Sequence, residues 1–112
     1  MLLIYNNPET WGALSDQERD GVIGEANALM AELTESGEWV SGEALADLAQ
    51  SRTVRVRDGV PVTTDGPFVE AKEYLAGICI IRCETEERAL DIAARWPDAK
   101  LCAMELRPIL GP

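Results

Sequence analysis

The sequence predicts an α+β fold of the ferredoxin-like βαββαβ type, with an antiparallel sheet and one inserted β-hairpin. Two segments have helical periodicity with capping signals, and apolar strand-like segments precede, separate and follow them. A third feature is a strong hairpin signal in the middle of the chain. With 112 residues and 46% hydrophobic content, we expect one domain spanning residues 1–112.

The first helix is predicted to begin at Ser15, after an apolar strand at residues 1–5. Ser15 and Glu18 have the spacing of a capping box, and Gly37 provides a C-terminal stop. Apolar residues recur between them at helical spacing: Val22, Ala26, Leu29, Met30 and Leu33. This pattern predicts a helix that buries one side.

The next segments alternate as strands and turns. Residues 39–45 are predicted to form a strand with a glycine kink, followed by a connecting loop. The pair Asp58-Gly59 separates two strand-like arms, which predicts a hairpin with a two-residue type I′ turn. Pro61 donates no hydrogen bond, so its arm is expected to lie at a sheet edge.

Residues 75–81 are apolar on both alternating faces, which predicts a central strand covered on two sides. A second helix is expected between Thr85, a suitable N-cap, and Pro97, followed by a last strand at residues 101–106. This order places both helices on one side of the sheet. We therefore expect a second copy of the chain to cover the other side, forming a homodimer with an enclosed cavity.

The charge balance narrows the range of partners. Ten basic and twenty acidic residues give a formal net charge of −10, which repels phosphate backbones and anionic membranes. The sequence shows no apolar run of membrane-spanning length and no signal-peptide pattern. We expect a cytoplasmic protein that binds neither nucleic acid nor membranes.

The chain contains no histidine, which removes the usual general base near neutral pH and the commonest metal ligand. We therefore expect no metal site, and any chemistry would come from carboxylates, lysine, arginine, tyrosine, backbone groups or a bound cofactor. The favoured expectation is proton transfer without a cofactor. The three cysteines are predicted to lie in strands: Cys79, Cys83 and Cys102. Buried structural thiols are the favoured interpretation, with reactive thiols as the alternative.

Asp65 is the first candidate for a functional acid. Gly66 and Pro67 impose a sharp bend directly behind the hairpin, so the carboxylate is expected to be held in place. It would either accept backbone N–H bonds and hold the turn, or act as a catalytic or ligand-binding acid, or do both. In an apolar cavity its pKa would rise and suit it to proton transfer.

Two more residues are candidate catalytic groups. Glu43 would share a strand face with Trp39 and Ser41, and on a dimer cavity it would be a second carboxylate facing Asp65. Lys72 follows the turn closely enough to pair with Asp65 or attract an anionic group. The alternatives are a solvent-facing Glu43 and a solvated surface lysine.

Three residues are candidate ligand contacts. Arg19 could contact an anion near the mouth of a cleft, or be an exposed first-turn arginine. Tyr5 could donate a phenol hydrogen bond, or be a half-buried aromatic. Phe68 lies beside the Asp65 turn, where it could contact a ligand or anchor a core or interface.

The residues Asp65-Gly66-Pro67-Phe68, with residues 69–73, resemble the signature of the DGPF family, a branch of the YCII-related proteins. The resemblance covers residues 2–108, including residues 42–45 and the closing residues 105–108. It implies the dimeric α/β-barrel fold. It also implies that Asp65 corresponds to the aspartate of a histidine and aspartate pair in related proteins, whose histidine has no counterpart here.

The leading functional hypothesis is a homodimeric small-molecule-binding protein. As an enzyme it would be a cofactor-free isomerase, lyase or dehydratase acting on a small carbonyl or phenolic metabolite. One alternative is a metabolite-binding module without catalysis. A second alternative, implied by the family resemblance, is an interaction partner of an extracytoplasmic-function sigma factor.

Overall fold

The computed structural model describes residues 1–69 and 71–111. It confirms the α+β class and the predicted order of the main elements. The strands are β1 Leu2–Asn6, β2 Trp39–Ala44, β3 Arg52–Arg57, β4 Val60–Asp65, β5 Tyr74–Ile81 and β6 Ala103–Leu106. The helices are α1 Pro8–Gly12, α2 Asp16–Ser36, α3 Glu86–Arg95 and α4 Asp98–Leu101. A 3₁₀ turn at Leu48–Gln50 lies in the segment predicted to be a loop.

Four strands form one antiparallel sheet in the order β2-β5-β1-β6, and β3 and β4 form a separate hairpin. Strand β5 lies between β2 and β1, which confirms the predicted central strand, while its cover on the second side stays a prediction. Asp58 and Gly59 both have positive φ, as the predicted type I′ turn requires. The sheet of the single chain is open and does not close into a barrel.

The capping signals of the first long helix are confirmed. The Ser15 hydroxyl accepts a hydrogen bond from the Glu18 N–H at 3.1 Å, and the Glu18 carboxylate accepts one from the Ser15 N–H at 3.0 Å. Gly37 ends the helix with φ 81°. Of the predicted apolar row on α2, however, only Leu29 and Leu33 are buried.

The compact part of the core lies between the C-terminal half of α2, helix α3 and the sheet. Four side chains are fully buried there: Leu2, Leu33, Cys79 and Ile92. Thr85 caps α3 by accepting a hydrogen bond from the Arg88 N–H at 3.1 Å, as predicted. None of the helices in the described part of the chain is long and apolar enough to cross a membrane.

Strand β2 contains a register shift between Trp39 and Ser41. Trp39 pairs with Ile81 and Ser41 with Ile80, so the two side chains point to opposite faces of the sheet. The prediction that Glu43 shares a face with both Trp39 and Ser41 is therefore wrong for Trp39. Trp39 faces the helices, and Ser41 and Glu43 lie on the opposite side, which we call the open face.

The cysteines are only partly placed as predicted. Cys79 lies in β5, but Cys83 follows that strand and Cys102 ends α4, so neither of these two is in a strand. All three thiols are free. Burial raises the pKa of Cys79 to about 11, which keeps this thiol protonated and unreactive at neutral pH. Cys83 and Cys102 are half-buried.

An ion pair joins the start of β2 to α3. Arg88 donates two hydrogen bonds of 2.9 Å to the Glu38 carboxylate. These bonds, with one from the Ser36 hydroxyl, hold the pKa of Glu38 at about 2, below its usual 4.5. Glu38 therefore contributes stability that is present above pH 4.5 and is lost as the pH falls towards 2.

We expect Glu38→Gln to lower the melting temperature at pH 7 and to flatten its decline in acid. The reason is that glutamine forms no ion pair with Arg88 and binds no proton in this range. Thermal unfolding from pH 2 to 7 measures both effects. Glu35→Gln, on the exposed side of α2, is the control. An unchanged acid profile in Glu38→Gln would show that this pair does not govern acid stability.

Candidate functional site

The main candidate site is a cavity of about 470 Å³ between the N-terminal half of α2 and the helix-facing side of the sheet. It exists because α2 packs closely on the sheet only through its C-terminal half. Val22, Ala26 and Met30, predicted to complete the buried row, are half-buried and line this cavity. Ile4, Gly77 and Cys79 contribute to its opposite side.

A buried polar pair lies at this cavity. The side-chain amide of Asn6, at the end of β1, donates a hydrogen bond of 3.0 Å to the carboxylate of Asp98, the first residue of α4. Asn6 is 5% exposed and Asp98 8% exposed. The amide oxygen of Asn6 accepts a bond from the Asn7 N–H at 3.3 Å, so the NH₂ group is directed to Asp98.

The environment of the pair changes its acid–base properties. Burial raises the pKa of the Asp98 carboxyl, and the hydrogen bond from Asn6 opposes only part of that effect. Tyr74 pairs with Asn6 across β1 and β5 and also lines the cavity. Burial raises the pKa of Tyr74, and the negative charges of Asp47 and Asp98 raise it further. Asp98 is thus a carboxyl suited to accept and donate a proton.

Aromatic side chains form much of the cavity wall. Trp39 and Trp96 stack with ring centroids 6.3 Å apart and ring planes 12° apart. Trp11, on α1, also lines the cavity, and the Arg19 guanidinium lies 5.9 Å from its ring centroid. Gly42 leaves room for the Trp39 ring, because a Cβ atom at this position would lie 2.6 Å from the ring.

We expect Gly42→Ala to destabilise the protein by about 1–3 kcal/mol, the usual cost of overpacking. The Trp39 ring would have to move, and its stacking on the buried Trp96 resists that movement. Urea unfolding measures the effect. Gly24→Ala is the matched control, because nothing lies within 4 Å of the added Cβ and alanine favours the interior of α2. Equal stability of Gly42→Ala and the wild type would contradict this role.

Asp65 ends β4, and its side chain is 90% exposed. Its nearest charged partner is Arg52, at 3.8 Å across the hairpin. Gly66 has φ 94°, which confirms the predicted bend, and its N–H donates to the Ser51 carbonyl at 2.7 Å. In residues 1–69 and 71–111 no backbone N–H donates to the Asp65 carboxylate, so the turn is closed by the Gly66 bond to Ser51 and by the Thr53 hydroxyl, which donates to the Gly66 carbonyl at 2.9 Å. The functional role of Asp65 stays a prediction.

The other two predicted catalytic residues lie apart from the polar pair. Glu43 lies along the cavity on the edge strand β2, but its pairing with Ile78 directs its side chain to the open face. Lys72 is exposed in the segment between β4 and β5. The structure therefore does not bring the side chains of Asp65, Glu43 and Lys72 together in this cavity, and their catalytic roles stay predictions.

The three residues that were predicted to contact a ligand lie in three different parts of the structure. The Tyr5 hydroxyl, on the open face, donates a hydrogen bond of 2.9 Å to Glu105, and this bond raises the pKa of Tyr5. Arg19 donates bonds of 3.2 Å to the carbonyls of Trp11 and Gly12, which fastens α1 to α2. Phe68 is 67% exposed beneath the Arg55 guanidinium. Ligand binding by these three residues stays a prediction.

Sequence reasoning missed Asn6, Tyr74 and Asp98. One signal was available for Asn6: in β1 the inward positions alternate as Leu2, Ile4 and Asn6, and a polar side chain at an inward position needs a buried partner. Asp98 follows the helix-ending Pro97, so its sequence context indicates only a turn. Within residues 1–69 and 71–111, no three acidic or cysteine side chains are grouped so that they could hold a metal ion.

The sequence is similar to known proteins along nearly its whole length. Residues 1–111 of the chain match the model of a protein family that is described as YCII-related domain. A protein of Rhizobium meliloti (strain 1021), named Uncharacterized protein R00369, is 30% identical over 110 residues. That alignment covers 96% of this chain and 89% of the relative.

Proposed function

The chain belongs to the YCII-related family, and from this premise we propose that it binds a small molecule in the cavity between α2 and the sheet. The buried pair of Asn6 and Asp98 is the observation on which the proposal depends. A few polar groups within a mostly apolar and aromatic wall are typical of ligand pockets. The volume of about 470 Å³ also falls in their usual range, about 300–1,000 Å³.

The chemistry we propose is cofactor-free proton transfer. Asp98 would take a proton from the ligand and return it at another atom, because burial raises its pKa towards the range in which general acid–base catalysis is efficient. Asn6 would hold the carboxylate in position. The reaction would be that of an isomerase, lyase or dehydratase on a small carbonyl or phenolic metabolite. A binding module without catalysis would use the same cavity and release its ligand unchanged.

We also propose that the protein is a homodimer joined through the open face. Leu3, Ile78 and Ile80 are half-buried on this face, and the adjacent Val40 is 48% exposed. The single chain is flat, only 18 Å thick, and its radius of gyration of 16.3 Å exceeds the value of about 13 Å for a compact chain of this length. A second copy would cover the apolar face.

Native mass spectrometry of the protein mixed with a small-molecule extract tests binding and oligomeric state together. We expect dimers that retain a compound. Ala26→Phe, which places a large side chain in the cavity, should prevent retention, and Ala31→Phe on the exposed side of α2 should not. Equal retention by both variants would place the ligand elsewhere and overturn the proposed site.

Proton transfer is tested with the same extract by comparing Asp98→Asn with Asp65→Asn. Wild type and Asp65→Asn should convert the retained compound, and Asp98→Asn should leave it unchanged. Chromatography is needed as well as mass, because isomerisation does not alter the mass. If Asp98→Asn converts the compound and Asp65→Asn does not, Asp65 is the residue that transfers the proton. Binding of a sigma factor stays a prediction, which co-purification from the native host tests.

A further inference from the structure

We propose that the ligand of this cavity is an organic cation, an apolar body that carries a protonated amine. The inference rests on the ligand binding in the proposed function, and not on the proton transfer, and it names the ligand class for the same site. It depends on three properties of the wall: its aromatic content, the sign of its charged groups and the position of Asp98.

Most of the aromatic residues of the chain line the cavity between α2 and the sheet. All three tryptophans of the chain line the cavity, Trp11, Trp39 and Trp96, together with Tyr74, one of its two tyrosines. The faces of aromatic rings attract cations within about 6 Å of the ring centroid, and tryptophan does so best. Arg19 takes such a position over Trp11 but is not among the residues that line the cavity, so the inference depends on the other aromatic residues of the lining, Trp39, Trp96 and Tyr74.

The charged groups at the cavity are acidic. Among the described residues that line it, none is lysine or arginine, and Asp98 is the relevant acid, because the Glu43 side chain is directed to the open face. Arg19 is the cation beside the wall, and it is bonded to the carbonyls of Trp11 and Gly12 and to Asp16. A ligand with a carboxylate or phosphate group would therefore lie near the Asp98 carboxylate, and the described lining residues include no cation to balance the two negative charges. Two uncompensated charges of the same sign are unfavourable in an apolar space.

Asp98 lies where an ammonium group could contact it. In residues 1–69 and 71–111 no cation contributes to the pKa of Asp98: Asn6 donates a neutral hydrogen bond, and Tyr74 and the half-buried Cys102 are the titratable groups that feel its charge. Asp47 adds negative charge near Tyr74. A protonated amine would form a charge-assisted bond with Asp98 while its apolar part packs against the tryptophans.

Ligand charge and protonation of Asp98 are then linked. In the empty cavity burial favours the neutral carboxyl, whereas an adjacent ammonium favours the carboxylate. Amine binding therefore releases a proton at pH values where the empty site is protonated. The affinity for an amine should rise with pH across that range, and the affinity for a neutral isostere should not.

Three matched probes test the inference: 2-phenylethylamine, 2-phenylethanol and 3-phenylpropanoate. Their binding is followed through the three tryptophan indole N–H signals in proton–nitrogen correlation spectra at pH 3 to 8, a range that begins below the usual pKa of 3.8 for Asp98. We expect the amine to bind at least about tenfold more tightly than the alcohol at pH 8, and the propanoate to bind most weakly. Asp98→Asn should bring the amine and alcohol affinities close together.

The outcomes separate this inference from the proposed function. Equal affinities for the amine and the alcohol, or a preference for the propanoate, would overturn the cationic ligand and leave the cavity as a binding site. If no probe shifts the indole signals at millimolar concentration, both proposals fail. Should Asp98→Asn not fold, the pH dependence of the amine-to-alcohol affinity ratio in the wild type decides the question, because a constant ratio excludes the linkage.

Discussion

Asp98→Asn is expected to abolish proton transfer while making the protein more stable at neutral pH. Loss of a general acid or base usually costs about 10²–10⁴-fold in rate. The stability gain arises because a buried carboxyl that resists ionisation is replaced by a neutral side chain, whose oxygen can still accept the Asn6 hydrogen bond. We expect about 1 kcal/mol, or roughly 4 °C in melting temperature.

The pH dependence identifies the cause of that gain. The pKa of Asp98 in the folded state is raised above its usual 3.8. At pH values between 3.8 and this raised pKa, the folded state therefore binds more protons than the unfolded state. Its contribution to stability is therefore fully present below pH 3.8 and is lost as the pH rises through the folded pKa. The melting-temperature difference between Asp98→Asn and the wild type should be smallest in acid and grow with pH to a plateau.

Thermal unfolding from pH 3 to 8 measures this difference, and turnover of the compound retained from the extract measures the activity. Asp20→Asn, on the exposed surface of α2, is the control and should change neither. A difference that does not vary with pH would show that the buried carboxyl is not the source of the effect. A variant with full activity would remove Asp98 from the mechanism.

The features predicted correctly from the sequence are those set by neighbouring residues. The capping box of Ser15 and Glu18, the left-handed Gly37 and the Asp58-Gly59 turn are each satisfied within a few residues of chain. The two-sided apolar pattern of β5 likewise follows from its own composition. These signals determine the element order, and through it the antiparallel sheet.

The candidate site depends on features that the local sequence does not encode. The apolar row on α2 predicts burial along the whole helix, whereas the distance from α2 to the sheet leaves a cavity at its N-terminal half. The register shift in β2 reverses the face of Trp39 relative to Glu43. Helix α4 has only four residues, too few for a periodic pattern, yet it places Asp98 beside Asn6.

Asp65 illustrates the difference between a local and a tertiary property. The sequence correctly predicts the bend that follows it, since Gly66 supplies the positive φ. Burial of its carboxylate depends on what the hairpin packs against, and in the single chain the hairpin extends away with both strands exposed. A role that needs a buried Asp65 carboxylate would require a second molecule that covers the hairpin, and this role stays a prediction.

Ile78→Asp is expected to convert the proposed dimer to monomers. Ile78 lies on the central strand β5, paired with Leu3 and Glu43 across the open face. In a dimer closed over this face the new carboxylate would be buried without a cation and close to Glu43. Such a charge costs at least about 3 kcal/mol, which corresponds to a rise of more than about 100-fold in the dissociation constant.

Sedimentation equilibrium over a range of concentrations measures the dissociation constant. The fold of each chain should be retained, because Ile78 lies on the face opposite the buried core and an aspartate there remains hydrated in the monomer. Leu90→Asp makes the same chemical change at an exposed position of α3, away from the open face, and should leave the dimer intact. If Ile78→Asp also leaves the dissociation constant unchanged, the two copies do not meet through this face, and the exposed hairpin becomes the next surface to test.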